Sequence, residues 1–208
     1  MTKLMPRMGR LIGSAAVALA LTVAAGNASA EDWAPFAESN CAWCHGASGQ
    51  GFSTAPRLAG QKHKYLVTQL RNYKLHKRDN PLSGQYMWPA AVKLDGELAE
   101  GLASYYASIP PKAAKDGNEE LSSKGKSIYT FGIPEANIGS CAVCHGPKAE
   151  GVRQIPRLGG LGYVYLRERL EQWGEKYHTS AEAPMPHIAR RLPPEVAETL
   201  ASYLSFVE

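Results

Sequence analysis

The scarce side chains of this 208-residue chain are four cysteines and five methionines, and the cysteines are spaced for chemistry. Cys41-Ala-Trp-Cys44-His45 reappears as Cys141-Ala-Val-Cys144-His145. Two thiols with two residues between them and an imidazole directly after can form thioethers to the two vinyl groups of one haem, while the His binds the iron from one side. Two such motifs predict two covalently bound haem c groups. Three other uses compete. A zinc site of four cysteines usually sets its pairs roughly 15–20 residues apart and gives the His no task. A thioredoxin-type pair needs a strand, helix and strand around it, a pattern absent from the chain. Simple disulfides leave the doubled His unexplained.

The sixth iron ligand follows by elimination. Met1, Met5 and Met8 stand in the first thirty residues, so Met87 and Met185 are the only methionines beyond them. A thioether is a soft, weak ligand that raises the reduction potential and closes the iron to outside molecules. Met as ordinary core filler is the competing reading. His63, His76, His178 and His187 are candidates for bis-His irons, but none has a His counterpart in the other half; they read as surface imidazoles.

The elements that must hold these groups are also written twice. At a displacement of 100 residues, Gly51 answers Gly151, Pro56-Arg57-Leu58 answers Pro156-Arg157-Leu158, and Tyr65-Leu66 answers Tyr165-Leu166. At a displacement of 98, Met87 answers Met185 and Leu102-Ala103-Ser104-Tyr105 answers Leu200-Ala201-Ser202-Tyr203. This is a tandem domain duplication; two copies are too few for a solenoid. Apolar residues at helical spacing predict helices over 61–78 and 94–108, and over 161–176 and 193–206 in the second copy. With no run of alternating strand residues, the class is all-α. The expected division is 31–109 and 118–208, joined by a linker at 110–117 that Pro110 and Pro111 stiffen.

Residues 1–30 read as a signal peptide. Lys3, Arg7 and Arg10 precede the apolar run 11–25, and Ala28-Ser-Ala30 supplies small residues for cleavage after Ala30. The run falls short of the roughly 20 apolar residues of a membrane span, although an uncleaved anchor is the competing reading. Export places the mature chain in the periplasm. Removing residues 1–30 takes three of the 23 Lys and Arg and none of the 19 acids, so the formal charge of +4 falls to near neutral. Such a chain is no nucleic-acid binder, which would concentrate far more basic charge.

Taken together, the Cys-x-x-Cys-His, Pro, long helix, Met, final helix order resembles class I cytochrome c. The doubled chain, with its Pro-Arg-Leu-Ala-Gly-Gln and Met-x-Pro-type loops, closely resembles the dihaem cytochromes c4 over nearly all of residues 33–208. That resemblance implies two haem domains related by a pseudo-two-fold axis and an electron carrier in place of an enzyme. It further implies that Pro56 and Pro156 offer carbonyls to His45 and His145, and that Arg57 and Arg157 face haem propionates near the interface. The first Met loop reads Tyr-Met-Trp-Pro and the second Pro-Met-Pro, so the two irons need not share a potential.

An iron held by His and Met changes oxidation state with little geometric change, so electrons pass by proximity. The expected traffic runs from a quinol-oxidising complex or periplasmic dehydrogenase to a terminal oxidase in the respiratory chain. A dedicated electron-accepting subunit of one dehydrogenase, such as one acting on sulfur compounds, is the alternative. A dihaem peroxidase would require an open sixth position, which the paired methionines argue against. Lys64, Arg71, Lys74 and Arg78 form a basic stripe on the predicted first long helix. It would steer an acidic redox partner, against the plainer reading of a solvated helix face. Peripheral membrane association stays open.

Overall fold

The computed structural model describes residues 29–94, 96–175, 177 and 184–208. The expected signal sequence lies outside them except for Ser29 and Ala30, and so does His178. The architecture is all-helical, with only isolated bridges such as Phe52 to Ala55 and Val152 to Ile155 among the described residues.

In the first half, α1 (Ala34–Asn40) leads into α2 (Ala42–His45), followed by α3 (His63–Lys74), α4 (Trp88–Ala91) and α5 (Gly96–Ser108). The second half repeats the series as α6 (Ser122–Phe131), α7 (Ala142–His145), α8 (Tyr163–Gly174), α9 (Met185–Ala189) and α10 (Pro194–Phe206). The long helices are shorter than their periodicity predicts. Lys62 and Gly162 stay extended and delay the starts of α3 and α8. Beyond Lys74, His76 takes a left-handed conformation at φ 54, and the Lys77 amide turns back to the Asn72 carbonyl at 2.8 Å. Arg78 is therefore off the helix altogether. At α10 the Pro193-Pro194 pair works as expected: Pro193 is extended and Pro194 opens the first turn, where a missing N–H costs nothing.

Each half buries its own apolar cluster. The first gathers Ala37, Leu66, Leu94, Leu102, Ala103 and Tyr106; the second gathers Tyr129, Leu161, Leu166, Val196, Leu200 and Leu204 with their alanines. In both, the first and last helical segments cross at a glycine, but the glycine sits on opposite partners. Gly125 of α6 lies against Tyr203 and the Thr199 carbonyl of α10, whereas Gly101 of α5 lies under the Trp33 ring. Any Cβ there would collide.

Residues 110–117 form no regular element and lie along the second half. Ala114 N donates to the Gly160 carbonyl at 3.1 Å and Lys115 N to the Ser205 carbonyl at 2.9 Å. Gly117 N donates to Ser205 Oγ, Asn118 N to Ser202 Oγ, and Tyr163 N to Asp116 Oδ1. No helix among the described residues is long and apolar enough to cross a membrane.

Candidate haem sites

Each Cys-x-x-Cys-His run is a single helical turn placed at the end of another segment. In both turns the His amide donates to the carbonyl of the first Cys, His45 to Cys41 at 3.0 Å and His145 to Cys141 at 2.9 Å. The turn leaves the second thiol of each pair exposed and the first half-buried, with all four free. Burial pushes the Cys141 thiol up to about 11 and raises Cys41 as well. The residue before the second thiol of each pair faces outward, Trp43 at 90% and Val143 at 82% exposure.

The imidazoles point inward, at 7% exposure for His45 and 4% for His145. His45 Nδ1 lies 2.9 Å from the Pro56 carbonyl and His145 Nδ1 lies 3.0 Å from the Pro156 carbonyl. A carbonyl only accepts, so Nδ1 carries the proton and Nε2 keeps its lone pair. Burial holds both imidazoles below their usual pKa, against the raising effect of the carbonyl. The loop between His and Pro is built alike in both halves. Gly51 N donates to the His45 carbonyl and Gly151 N to the His145 carbonyl, each at 2.8 Å. Both glycines sit at positive φ with backbone atoms where a Cβ would go.

Met87 ends a π-helical turn over Ser83–Met87 and is half-buried; Met185 opens α9 and is half-buried too. The first methionine's loop is well tied. Trp88 Nε1 donates to the Arg78 carbonyl at 2.7 Å, the His76 ring stacks on Trp88 at 3.9 Å, and Ser83 donates to Asn80. Most of the segment before Met185 lies outside the described residues. Of the other imidazoles, His63 is half-buried with Nε2 3.2 Å from Glu100, while His76 and His187 are exposed.

A haem fits these residues. Its two thioether partners stand open on one turn, an oriented imidazole faces inward beside them, and the buried Nε of Arg157 has no partner. Among the described residues no three His, Cys, Asp or Glu side chains gather to hold a bare metal ion.

The sequence profile of the cytochrome c family matches residues 33–109 and again 122–207. The chain belongs to the cytochrome c family. As a tandem cytochrome c it carries two covalent haem c groups and acts in electron transfer, not as an enzyme. It is similar to cytochrome c-552 of Acidithiobacillus ferridurans, 33% identical over 94% of this chain and 86% of that one. A thiosulfate dehydrogenase electron acceptor of Stutzerimonas stutzeri is 34% identical over 80% of this chain and 78% of its own. Among solved structures, cytochrome c4 of Acidithiobacillus ferrooxidans superposes with a TM-score of 0.75 at 34% identity, covering 80% of this chain and 98% of that one. The chain is thus a dihaem, cytochrome c4-like electron carrier.

The basic stripe of this cytochrome differs from the sequence expectation. Arg78 was expected on an exposed stripe with Lys64, Arg71 and Lys74; it is 7% exposed, because the turn at His76 folds it inward against Tyr73 and Tyr165. Lys64 and Arg71 are exposed and Lys74 half-buried, so the stripe ends before Arg78. Arg57 gives Nη1 to the Lys112 carbonyl at 3.1 Å. Both Arg57 and Arg157 nevertheless line one cleft of ≈ 160 Å³ between the halves.

Sequence reasoning missed the bond that locks the halves together. Gln61, 5% exposed, donates Nε2 to the Arg157 carbonyl at 3.0 Å and accepts from Arg157 N at 2.8 Å. Its signal was a break in register: the equivalent residue is Leu161, so an amide stands where the duplicate has an apolar side chain.

Proposed function

We propose that Cys41 and Cys44 bind one haem and Cys141 and Cys144 the other, with His45 and Met87, then His145 and Met185, as axial ligands. The observation that carries this reading is the pair of buried imidazoles, each pinned through Nδ1 to a proline carbonyl eleven residues on. When bound, each haem supplies a one-electron iron couple. The protein's share is orientation. Donation from Nδ1–H to Pro56 or Pro156 fixes the ring plane and makes Nε2 a stronger base. Burial keeps water from the imidazole, and a thioether in the sixth position leaves no site for a substrate.

The finer assignment follows from this coordination. Residues 1–30 direct export and are cleaved after Ala30, and the mature protein works in the periplasm. The reading of residues 31–109 and 118–208 as the two domains, with 110–117 between them, is supported by the separate core of each half. Electrons enter from a quinol-oxidising complex or a periplasmic dehydrogenase and leave to a terminal oxidase. The S. stutzeri relative supports a second version, in which one thiosulfate-oxidising enzyme is the donor. Lys64 and Arg71 steer an acidic partner. Reversing both charges should slow the reaction at low salt, and rates that ignore both charge and salt would remove the steering idea.

Absorption and spin-state spectra of the haem-loaded protein test the ligand set. Two low-spin, six-coordinate irons with a sulfur-to-iron charge-transfer band are expected, and Met87→Ala or Met185→Ala should each remove about half of that band. A high-spin iron in the wild type, or rapid reaction with peroxide, would overturn it.

A further inference from the structure

Trp88, the residue after Met87, is fixed by contacts to the turn that ends α3. The His76 ring lies almost parallel to the indole, with centroids 3.9 Å apart and 11° between the planes. Trp88 Nε1 donates to the Arg78 carbonyl at 2.7 Å. That turn is itself bonded back onto α3: His76 N donates to the Tyr73 carbonyl at 3.0 Å, and Lys77 N and Arg78 N donate to the Asn72 carbonyl at 2.8 and 3.3 Å. The indole is thus anchored, through two residues, to a helix of the core.

The backbone of His76 is unusual for an exposed residue with a Cβ. Its φ of 54 lies in the left-handed region, which persists where surrounding contacts over-determine it and which clusters at functional sites. The chain before Met87 is fixed as well. Gly84 N donates to the Asn80 carbonyl at 3.0 Å, Ser83 Oγ donates to the Asn80 side chain, and both Asn80 and Ser83 are buried. The Trp88 amide closes the π-helical turn on the Ser83 carbonyl, and single π turns recur at functional sites. Met87 therefore lies between two anchored flanks.

The pair does not recur in the second copy. Pro186 stands in the register of Trp88, and Gly174, Glu175 and Lys176 span the register of His76, so neither an indole N–H nor a stacking ring is supplied there. We propose that His76 and Trp88 are positioning residues for Met87. Their stack holds the loop so that the thioether stays on the first-half iron, and the two irons differ in how readily an outside ligand displaces methionine. This rests on the ligand set proposed above.

A thioether is a weak ligand on a side chain with three rotatable bonds, so the chain around it sets how often it leaves the iron. An outside ligand binds only the open iron, and its apparent affinity rises in proportion to the open fraction. Imidazole added to the oxidised, haem-loaded Met185→Ala protein reads this, because the sulfur-to-iron band that remains reports Met87 alone. In that background His76→Gly keeps the left-handed turn, which glycine adopts freely, and removes the ring. Imidazole should then bleach the band at a concentration about tenfold lower. His76→Phe, which restores a stacking ring, should return the titration close to that of the parent.

Coincident titrations of His76→Gly and its parent would overturn the proposal, and so would a His76→Phe protein as easily bleached as His76→Gly. Should His76→Gly fail to fold, Trp88→Phe decides. It keeps a ring and loses the bond to the Arg78 carbonyl, so a shift to lower imidazole concentration is expected and an unmoved titration refutes the clamp. Absence of any sulfur-to-iron band in Met185→Ala, before His76 or Trp88 is touched, would instead defeat Met87 as a ligand.

Discussion

The two halves share a haem-binding turn and an imidazole anchor down to a tenth of an ångström, yet differ in several residues that pack around them. Gln61 opposes Leu161, Tyr73 opposes Trp173, and the crossing glycine changes helices from Gly101 to Gly125. Tyr65 and Tyr165 occupy equivalent positions and meet across the junction, as an approximate two-fold relation requires. Their chemistry still diverges. Burial raises the Tyr65 phenol, while at Tyr165 burial is outweighed by Arg78 and Arg169, which hold that phenol below its usual value. The Cys-x-x-Cys-His turns and their proline anchors stay alike in the two copies. The copies drift where each half need only fit its neighbour.

The strongest way to break the equivalence is to remove one haem. Cys141→Ser with Cys144→Ser should halve the haem content measured by pyridine haemochrome, and Cys41→Ser with Cys44→Ser should do the same. Loss of both haems from either pair would mean that the halves do not load independently.

Next in size is the glycine crossing. Gly125→Ala drives a Cβ into the Thr199 carbonyl and should cost about 1–3 kcal/mol in denaturant unfolding. Gly101→Ala meets the Trp33 ring, half-exposed and able to turn, and should cost less. Equal losses would mean that the two crossings are equally rigid.

Gln61→Leu gives the first half the second half's residue. It strips the partners from the Arg157 N–H and C=O, and should cost about 1–3 kcal/mol by the same assay. An unaltered midpoint would show that the junction holds without this bond.

The smallest effect belongs to Tyr165 and shows only at alkaline pH. Its phenolate is favoured in the folded state, so this contribution is present above the unfolded pKa of about 10 and is lost as pH falls through the folded value. Tyr165→Phe should therefore fall progressively behind the wild type in stability as pH rises toward about 10, with a constant gap above it. Tyr65→Phe should show no such loss. Parallel pH profiles would place the influence of the two guanidiniums elsewhere.

What could be read in the sequence follows from local against long-range causes. The Cys-x-x-Cys-His turns, the proline carbonyls and the long helices depend on neighbours within about a dozen residues, so residue type and period announce them. Arg78 was misplaced because helical spacing was carried past Lys74, and only a left-handed His76, a backbone choice that sequence states weakly, turns the chain inward. The Gln61 to Arg157 lock spans 96 residues and has no local period. Only the mismatch with Leu161 pointed toward it.

The segment joining the halves, bonded along its length to the second half, has a mechanical consequence. Its amides close on Gly160, Ser202 and Ser205, while Gln61 reaches the same body from the first half without using the connecting peptide. Chain continuity between Ser108 and Pro111 is therefore dispensable for cohesion. A chain nicked there would travel as one particle, a dimer in all but covalent bookkeeping, and its two irons would keep a fixed separation.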